Sequence, residues 1–315
     1  LFAVLMIITF GFAYNSVQSN TICLAWQKAF GIEPATMGIA LTVLTLLIIF
    51  GGIHRVAKFS STVVPVMAVI YLLIAVGVVV WNITSLPKVL LTIVENAFGF
   101  NQAAGGVLGV TVIQGIKRGL FSNEAGEGSA PNAAAVATVS HPVKQGLIQA
   151  LGVFTDTLVV CSCTAFIILV SGVDITASNG IQLTQDALTH EIGSIGNPFV
   201  AVMIWLFAFS SIIGNYYYGE TNVRYIRDSK LGVFVYRLAV AAMVMVGAVV
   251  SLDFAWSFAD ITMALLTLCN LVAIVLLSRQ AVFLLKDYRQ QKKEGKNPVF
   301  TKDKMPEIAD KLEAW

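Results

Sequence analysis

The stretch QGIKRGLFSNEAGEGSAPNAAAVATV (114–139) sets Lys117, Arg118, Ser122, Asn123, Glu124 and Glu127 beside four glycines inside an otherwise apolar run. A charge at the centre of a membrane helix costs about 2.5–3.5 kcal/mol on insertion scales, so these groups must face protein, water or a ligand rather than lipid. The glycines and Pro131 allow the chain to unwind between two half-helices, with Pro131 suited to the first turn of the second. Such a break leaves free carbonyls at one half-helix end and free amides at the other, with opposite dipole ends facing the gap. Carbonyls suit a cation or an ammonium group and amides suit a carboxylate, so the gap can take a zwitterion. The competing reading is a kinked or re-entrant helix whose polar groups pair only among themselves.

Two further stripes carry chemistry. Gly11, Asn15 and Gln18 recur at i, i+4, i+7 with Tyr14 and Asn20 nearby, on one face of a helix. An amide such as Gln18 both donates and accepts, which suits a polar ligand; interhelical hydrogen bonding is the alternative use. In FAFSSIIGNYYYGETN (207–222), Ser210 and Ser211 sit mid-run, and Ser211, Asn215, Tyr218 and Asn222 follow at helical spacing. Their oxygens are hard ligands for a small hard cation, although serines also serve helix contacts in membranes. Asp156 and Asp260 are acids within or near apolar runs, open to a proton-relay role or to pairing with a donor on a neighbouring helix. There is no HExxH, no GxSxG and no His/Asp cluster, so an enzyme is not indicated. The cysteines, Cys23, Cys161, Cys163 and Cys269, lie in apolar runs without a CxxC pair and read as packing residues.

The elements that position these residues follow from composition. Of 315 residues, 57% are apolar and only 12% charged, and mean hydropathy is +0.80. That excludes a soluble single-core protein, and a net charge of +2 without a basic domain excludes nucleic acid as partner. Apolar windows long enough to span about 30 Å recur at 1–27, 36–53, 61–82, 105–138, 148–172, 198–222, 232–252 and 256–278, giving eight crossings with the fourth interrupted. Ile83–Phe100, with Pro87, Lys88 and Glu95, reads as an interfacial helix. Arg55, Lys58, Lys144, Arg224, Arg227, Lys230 and Arg237 fall in alternate loops on the side of the basic tail, which places that side in the cytoplasm. Composition changes at Arg279, dividing a transmembrane domain (1–278) from a cytoplasmic tail (279–315) whose segment Lys302–Trp315 is expected as a short surface helix. The chain opens at Leu1, inside an apolar run, and an N-terminal truncation is expected.

The run KRGLFSNEAGEGSAPNAAA (Lys117–Ala135), with NAFGFNQAAGG (Asn96–Gly106) before it and HPVKQGLIQALGVFTDTLVVC (His141–Cys161) after it, closely resembles the alanine or glycine:cation symporter family, the sodium:alanine symporters of bacteria and archaea. GFAYNSVQSNTI (Gly11–Ile22), LFAFSSIIGNYYYGE (Leu206–Glu220) and FADITMALLTLCNL (Phe258–Leu271) extend the resemblance over nearly the whole chain. It implies an all-α integral membrane protein with the LeuT-type fold of two inverted five-helix repeats, here lacking the first two core helices, with the broken helix opening the second repeat. By position, Phe121, Ser122 and Asn123 would contact substrate, Gln18 would reach it from the third core helix, and Ser210 and Ser211 would coordinate sodium. Glu124 would hold the unwound segment in shape.

The function so implied is sodium-coupled symport of a small neutral amino acid, alanine with glycine as the near alternative, across the cytoplasmic membrane by alternating access. Its partners would be that substrate, sodium and the lipid bilayer, with no cofactor beyond sodium as coupling ion. Phe121 in the break would restrict side-chain volume. Proton coupling through Glu124, Asp156 or Asp260 is the alternative; an intramembrane enzyme, a passive channel and a structural subunit are more distant.

Overall fold

The computed structural model describes residues 1–51, 53–98 and 105–312, with side-chain surroundings given outside 53–64, 105–111 and 311. All regular structure among them is helical. In chain order the helices are α1 (Phe2–Phe30), α2 (Pro34–Ile49), α3 (Ile53–Trp81), α4 (Leu86–Ala97), α5 (Gly105–Asn123), α6 (Ala130–Ala134), α7 (Pro142–Ser171), α8 (Ile181–Ile192), α9 (Gly196–Ile226), α10 (Lys230–Val249) and α11 (Leu252–Lys293). Starts follow local chemistry: Pro34 and Pro142 occupy the first turns of α2 and α7, while Ser229 and Ser251 accept from Gly232 N and Phe254 N to cap α10 and α11.

Five described segments are long and apolar enough to cross a membrane: Phe2–Phe30, Pro142–Ser171, Ile181–Ile226, Lys230–Val249 and Leu252–Lys293. A sixth arises if Pro65–Trp81 and Leu86–Ala97, bent by 101°, count as one. That bend turns α4 across α3, the direction a helix lying along a membrane surface takes relative to one that crosses it. The expected fourth crossing is split into α5 and α6, and α6 has only five residues, so the second half-helix is shorter than the 105–138 window suggests.

The core is built on α1, α9 and α10. Ile22, Phe209, Ile212, Tyr216, Val240 and Val244 form one buried cluster; Met6, Phe10, Tyr14 and Val17 form another with Ala255, Ala259 and Leu266 of α11. Between membrane helices hydrophobicity drives little association, so close packing and hydrogen bonds carry the contact. Ser19 Oγ donates to Val244 O at 2.6 Å, and Asn20 Nδ2 donates to Gly247 O at 3.0 Å and Val250 O at 2.8 Å. At Gly247 a Cβ would lie 2.5 Å from the Ser16 backbone, so the α1–α10 crossing requires the small residue.

The segment 173–197, which lies between the expected crossings 148–172 and 198–222, contains α8. Gln185 is fully buried and donates to Ala25 O at 3.0 Å and Asn197 Oδ1 at 2.6 Å, while Lys28 pairs with Asp186 at 2.5 Å. These contacts dock α8 on the ends of α1 and α9.

Helix α11 runs unbroken through Arg279, so the change of composition there falls inside one helix. In place of the surface helix expected over Lys302–Trp315, the described tail holds two single turns, Lys302–Lys304 and Ala309–Lys311; Pro306 between them cannot sit inside a helix. The tail folds back as a strap. Phe300 N donates to Ser140 O at 2.9 Å, Ser140 Oγ to Pro298 O at 2.9 Å and Lys144 Nζ to Asn297 Oδ1 at 2.7 Å, with Phe300 and Met305 buried. His141 is fully buried; its Nδ1 accepts from Val143 N, which leaves Nε2 to donate to Asp287 Oδ2 at 3.1 Å. Lys304 Nζ reaches Asp287 Oδ1 at 2.8 Å.

Partial burial of Asp287 opposes its charge, but hydrogen bonds from Lys304, His141 and Gln291 outweigh it and hold the carboxyl below the ordinary carboxylate range. A depressed folded-state value gives a contribution to strap docking that is complete above the unfolded carboxylate value of about 3.9 and is lost as pH falls through the folded one. Limited proteolysis of the purified protein should therefore cut within 294–312 more readily once pH drops below about 4. Asp287→Asn should be cut readily at neutral pH and show no further acid step of this origin.

Candidate functional site

The interruption between α5 and α6 spans 124–129, and its backbone is set by residue type. Gly126 and Gly128 take φ of +93° and +86°, and Glu124 is the one non-glycine with positive φ (54°) among the described residues. Glycine adopts that region without strain. Glu124 Oε2 accepts from Ser129 Oγ at 2.6 Å, closing the loop from end to end. Asn270 Nδ2 on α11 donates to Gly126 O at 2.8 Å, and a Cβ on Gly128 would fall 2.7 Å from Asn270 and Phe2. Glu127 is fully buried, with Tyr14 OH donating to its Oε1 at 2.7 Å.

The peptide groups of the break are unequally satisfied. Ala125 N donates to Asn123 Oδ1 at 2.9 Å and Glu127 N to Glu124 O at 3.1 Å. At the end of α5, the carbonyls of Phe121, Ser122 and Asn123 receive no hydrogen bond from the described residues. The amides of Gly126, Gly128, Ser129 and Ala130 likewise meet no acceptor among the described residues, so the gap offers open carbonyls at one end and open amides at the other, the arrangement that suits a zwitterion.

The charges of α5 are answered by α11. Arg118 Nη2 bonds Asp260 Oδ1, Lys117 lies 3.4 Å from Asp260 Oδ2, and the Arg118 guanidinium sits 4.1 Å over Trp256. Asp260 thus acts as an ion-pair partner inside the bundle.

Two π-helical stretches flank the break, Ile7–Tyr14 within α1 and Thr155–Val160 within α7. The wider turn shifts side-chain direction relative to a regular helix, a device frequent at functional sites. The first stretch ends at Tyr14, the partner of Glu127. The second carries Asp156, whose Oδ2 accepts from Ser122 Oγ at 2.6 Å, and Thr157, whose Oγ1 accepts from Asn123 Nδ2 at 3.0 Å.

A cavity of about 400 Å³ lies beside the break, lined by Tyr14 and Gln18 of α1, Phe121, Ser122 and Glu124 from α5 and the break, and Ser211, Gly214, Asn215 and Tyr218 of α9. Its size suits a small ligand. Phe121 is edge-on to Tyr14 at 4.7 Å and tilted against Trp256 at 4.7 Å, so its ring is braced between α1 and α11. Of the residues expected at a site, the structure brings Gln18, Phe121, Ser122 and Ser211 to this cavity. Asn123 turns to Thr157 and caps the break; Ser210 Oγ donates to Phe207 O at 2.8 Å and does not line the cavity. Ser211 Oγ also donates to Phe207 O, at 3.1 Å, which leaves its lone pairs available. The α1 stripe divides its roles. Asn15 bonds Gly11 O and accepts from Asn215 Nδ2, Asn20 bonds α10, and Gln18 faces the cavity.

The model of the sodium:alanine symporter family matches residues 1–302. The chain belongs to that family. It is a family of transporters, not of enzymes, and with its apolar helices the chain is a multi-pass membrane protein. Among relatives, a probable sodium/glutamine symporter of Bacillus subtilis is 55% identical over 96% of this chain and 64% of its own length. An amino-acid carrier protein of the same organism is 51% identical over 100% of this chain and 67% of its own. A putative sodium/proton-dependent alanine carrier, also of B. subtilis, is 40% identical over 95% and 66%. The chain thus spans about two thirds of the length of these relatives.

Of the other cavity residues, Asn215 and Tyr218 belong to the stripe read from Ser211, Tyr14 stands beside the Gln18 stripe, Glu124 was expected to hold the break rather than to line a site, and only Gly214 was not singled out. Tyr14 lies one turn before Gln18, and Asn215 and Tyr218 continue the helical spacing of Ser211, so the signal was present in the two stripes.

With the break packed as described, alanine at its two positive-φ glycines should behave unequally. Gly126→Ala, with no atom nearer than 3.9 Å to the new Cβ, should be destabilised only by the backbone strain it acquires, about 1–2 kcal/mol. Gly128→Ala adds overlap with Asn270 and Phe2 and should melt lower in a thermal unfolding assay. Equal melting shifts would contradict the packing against α11.

Proposed function

We propose that the protein is a sodium-coupled symporter of a small neutral amino acid, alanine first, working by alternating access in the cytoplasmic membrane with the tail inside the cell. The observation that carries this reading is the polar cavity beside an interrupted helix whose open carbonyls and open amides suit a zwitterion, in a chain of this family. The substrate ammonium would lie toward the carbonyls of Phe121–Asn123, with Gln18 and Ser122 as side-chain partners and Phe121 bounding the side-chain end. Sodium would be held by Ser211 on the cavity wall, with Ser210, which does not line the cavity, contributing only after its side chain turns toward it. Each sodium ion entering gains about 2.3 kcal/mol per 100 mV of membrane potential, and coupling requires ion and substrate to favour the same conformation. Eight crossings in a LeuT-type inverted-repeat arrangement fit the split α5/α6, the surface-lying α4 and the docked α8.

Glutamine is the second reading. A cavity of about 400 Å³ is larger than alanine requires, and one relative is named for glutamine.

Radiolabelled uptake into proteoliposomes, using the protein expressed from its complete gene, tests these points. Uphill alanine uptake should require an inward sodium gradient, and Ser211→Ala should weaken the apparent sodium affinity about tenfold, the scale of one charge-assisted contact. Uptake indifferent to sodium would refute the coupling. Phe121→Ala should widen the range of accepted side chains, with glutamine gaining relative to alanine; unchanged selectivity would remove Phe121 from substrate choice.

A further inference from the structure

Glu127 is the one carboxylic acid among the described residues with no exposed surface. Its Oε1 accepts from Tyr14 OH at 2.7 Å, while its Oε2 has no partner and no described Lys, Arg or His lies within ion-pair distance. The other groups around it cannot neutralise it. Glu124, in the same loop, is also an acid and is turned to Ser129; α11 contributes Thr267 and Asn270 near the break; Asp260 on α11 is taken by Lys117 and Arg118. A carboxylate stripped of water with a single hydrogen bond and an orphaned oxygen is strongly disfavoured, and protonation removes the charge. A metal cation would need several converging oxygens, whereas a proton needs only the free Oε2.

The hydrogen bond to Tyr14 ties this oxygen pair to the cavity, because the Tyr14 ring lines it and packs on Phe121. Any rearrangement of Phe121 on substrate entry that turns Tyr14 changes the only donor Glu127 has among the described residues. We propose that Glu127 is a proton-binding site of this carrier, loaded in the conformation described and linked through Tyr14 to occupancy of the cavity. Linkage is reciprocal: if substrate changes the proton affinity of Glu127, pH changes the affinity for substrate by the same factor.

This rests on the symporter reading, and the test separates the two. Amino-acid affinity is measured by calorimetry on the detergent-purified protein from its complete gene, with alanine and glutamine as probes, from mildly acid to mildly alkaline pH and in buffers of different ionisation enthalpy. Wild type should exchange protons on binding, with affinity changing by up to about tenfold per pH unit for one linked proton. Glu127→Gln, a neutral isostere, should bind with less than about twofold pH dependence and exchange correspondingly fewer protons. A variant with the wild-type pH profile and proton count, or a wild type that exchanges no proton, overturns the proposal.

Infrared difference spectra between acid and alkaline pH give a second readout that does not need Glu127→Gln to fold. A protonated-carboxyl band should be present in wild type and shift in Tyr14→Phe; no band, or one that Tyr14→Phe leaves in place, also overturns it. If wild type binds neither amino acid, the substrate assignment fails while the infrared result still decides the proton site.

Discussion

An interrupted helix inside an apolar bundle exposes peptide groups and charges that water cannot reach, and the surrounding structure is organised by the need to answer them. Helix α11 does most of this. Asp260 meets Lys117 and Arg118, Trp256 lies under the guanidinium, and Asn270 holds Gly126 O. From the other side, α1 supplies Tyr14 to Glu127, and α7 supplies Asp156 and Thr157 to Ser122 and Asn123. The break is therefore a shaped element held from three directions.

What is left unanswered defines the chemistry. The amides of Ala125 and Glu127 are bonded within the loop, whereas the last carbonyls of α5 and the amides of Gly126, Gly128, Ser129 and Ala130 meet no partner among the described residues, beside a cavity with Gln18, Ser211 and Asn215 on its walls. Glu127 is unusual within this arrangement, since it is fully buried and its Oε2 meets no donor among the described residues. A substrate ammonium or a cation satisfies the carbonyls; a proton satisfies Glu127. Both needs meet at Tyr14, whose ring borders the cavity and whose hydroxyl reaches the acid.

The scaffold around the break is stiff where it should be. The α1–α10 contact relies on Gly247 and on side-chain donors to backbone carbonyls, and α8 locks the ends of α1 and α9 through Gln185 and Lys28. On the tail side, the strap through Phe300 and Asp287 ties the end of α11 to the start of α7.

The membrane character, the place of the interruption and the polar stripes on α1 and α9 were legible in the sequence, because each depends on local composition and helical spacing. So was the family, through the run around Ser122 and Glu127. The partners of the polar residues were not. Nothing in the spacing told that Asn123 turns to Thr157 while Ser122 also borders the cavity, that Ser210 bonds its own helix, or that Asn15 and Asn20 bind neighbouring helices while Gln18 does not. Helical periodicity assigns a face but not what lies opposite it, and the two π-helical stretches shift that face by part of a turn just where the site is built. The tail strap escaped for the same reason: Asp287, His141 and Lys304 are unremarkable until the return of the chain at Gly295 brings them together. Sequence alone determined which groups must be satisfied inside the bundle; which neighbour satisfies each, and which are left for a ligand, is a matter of distances that only the packed helices decide.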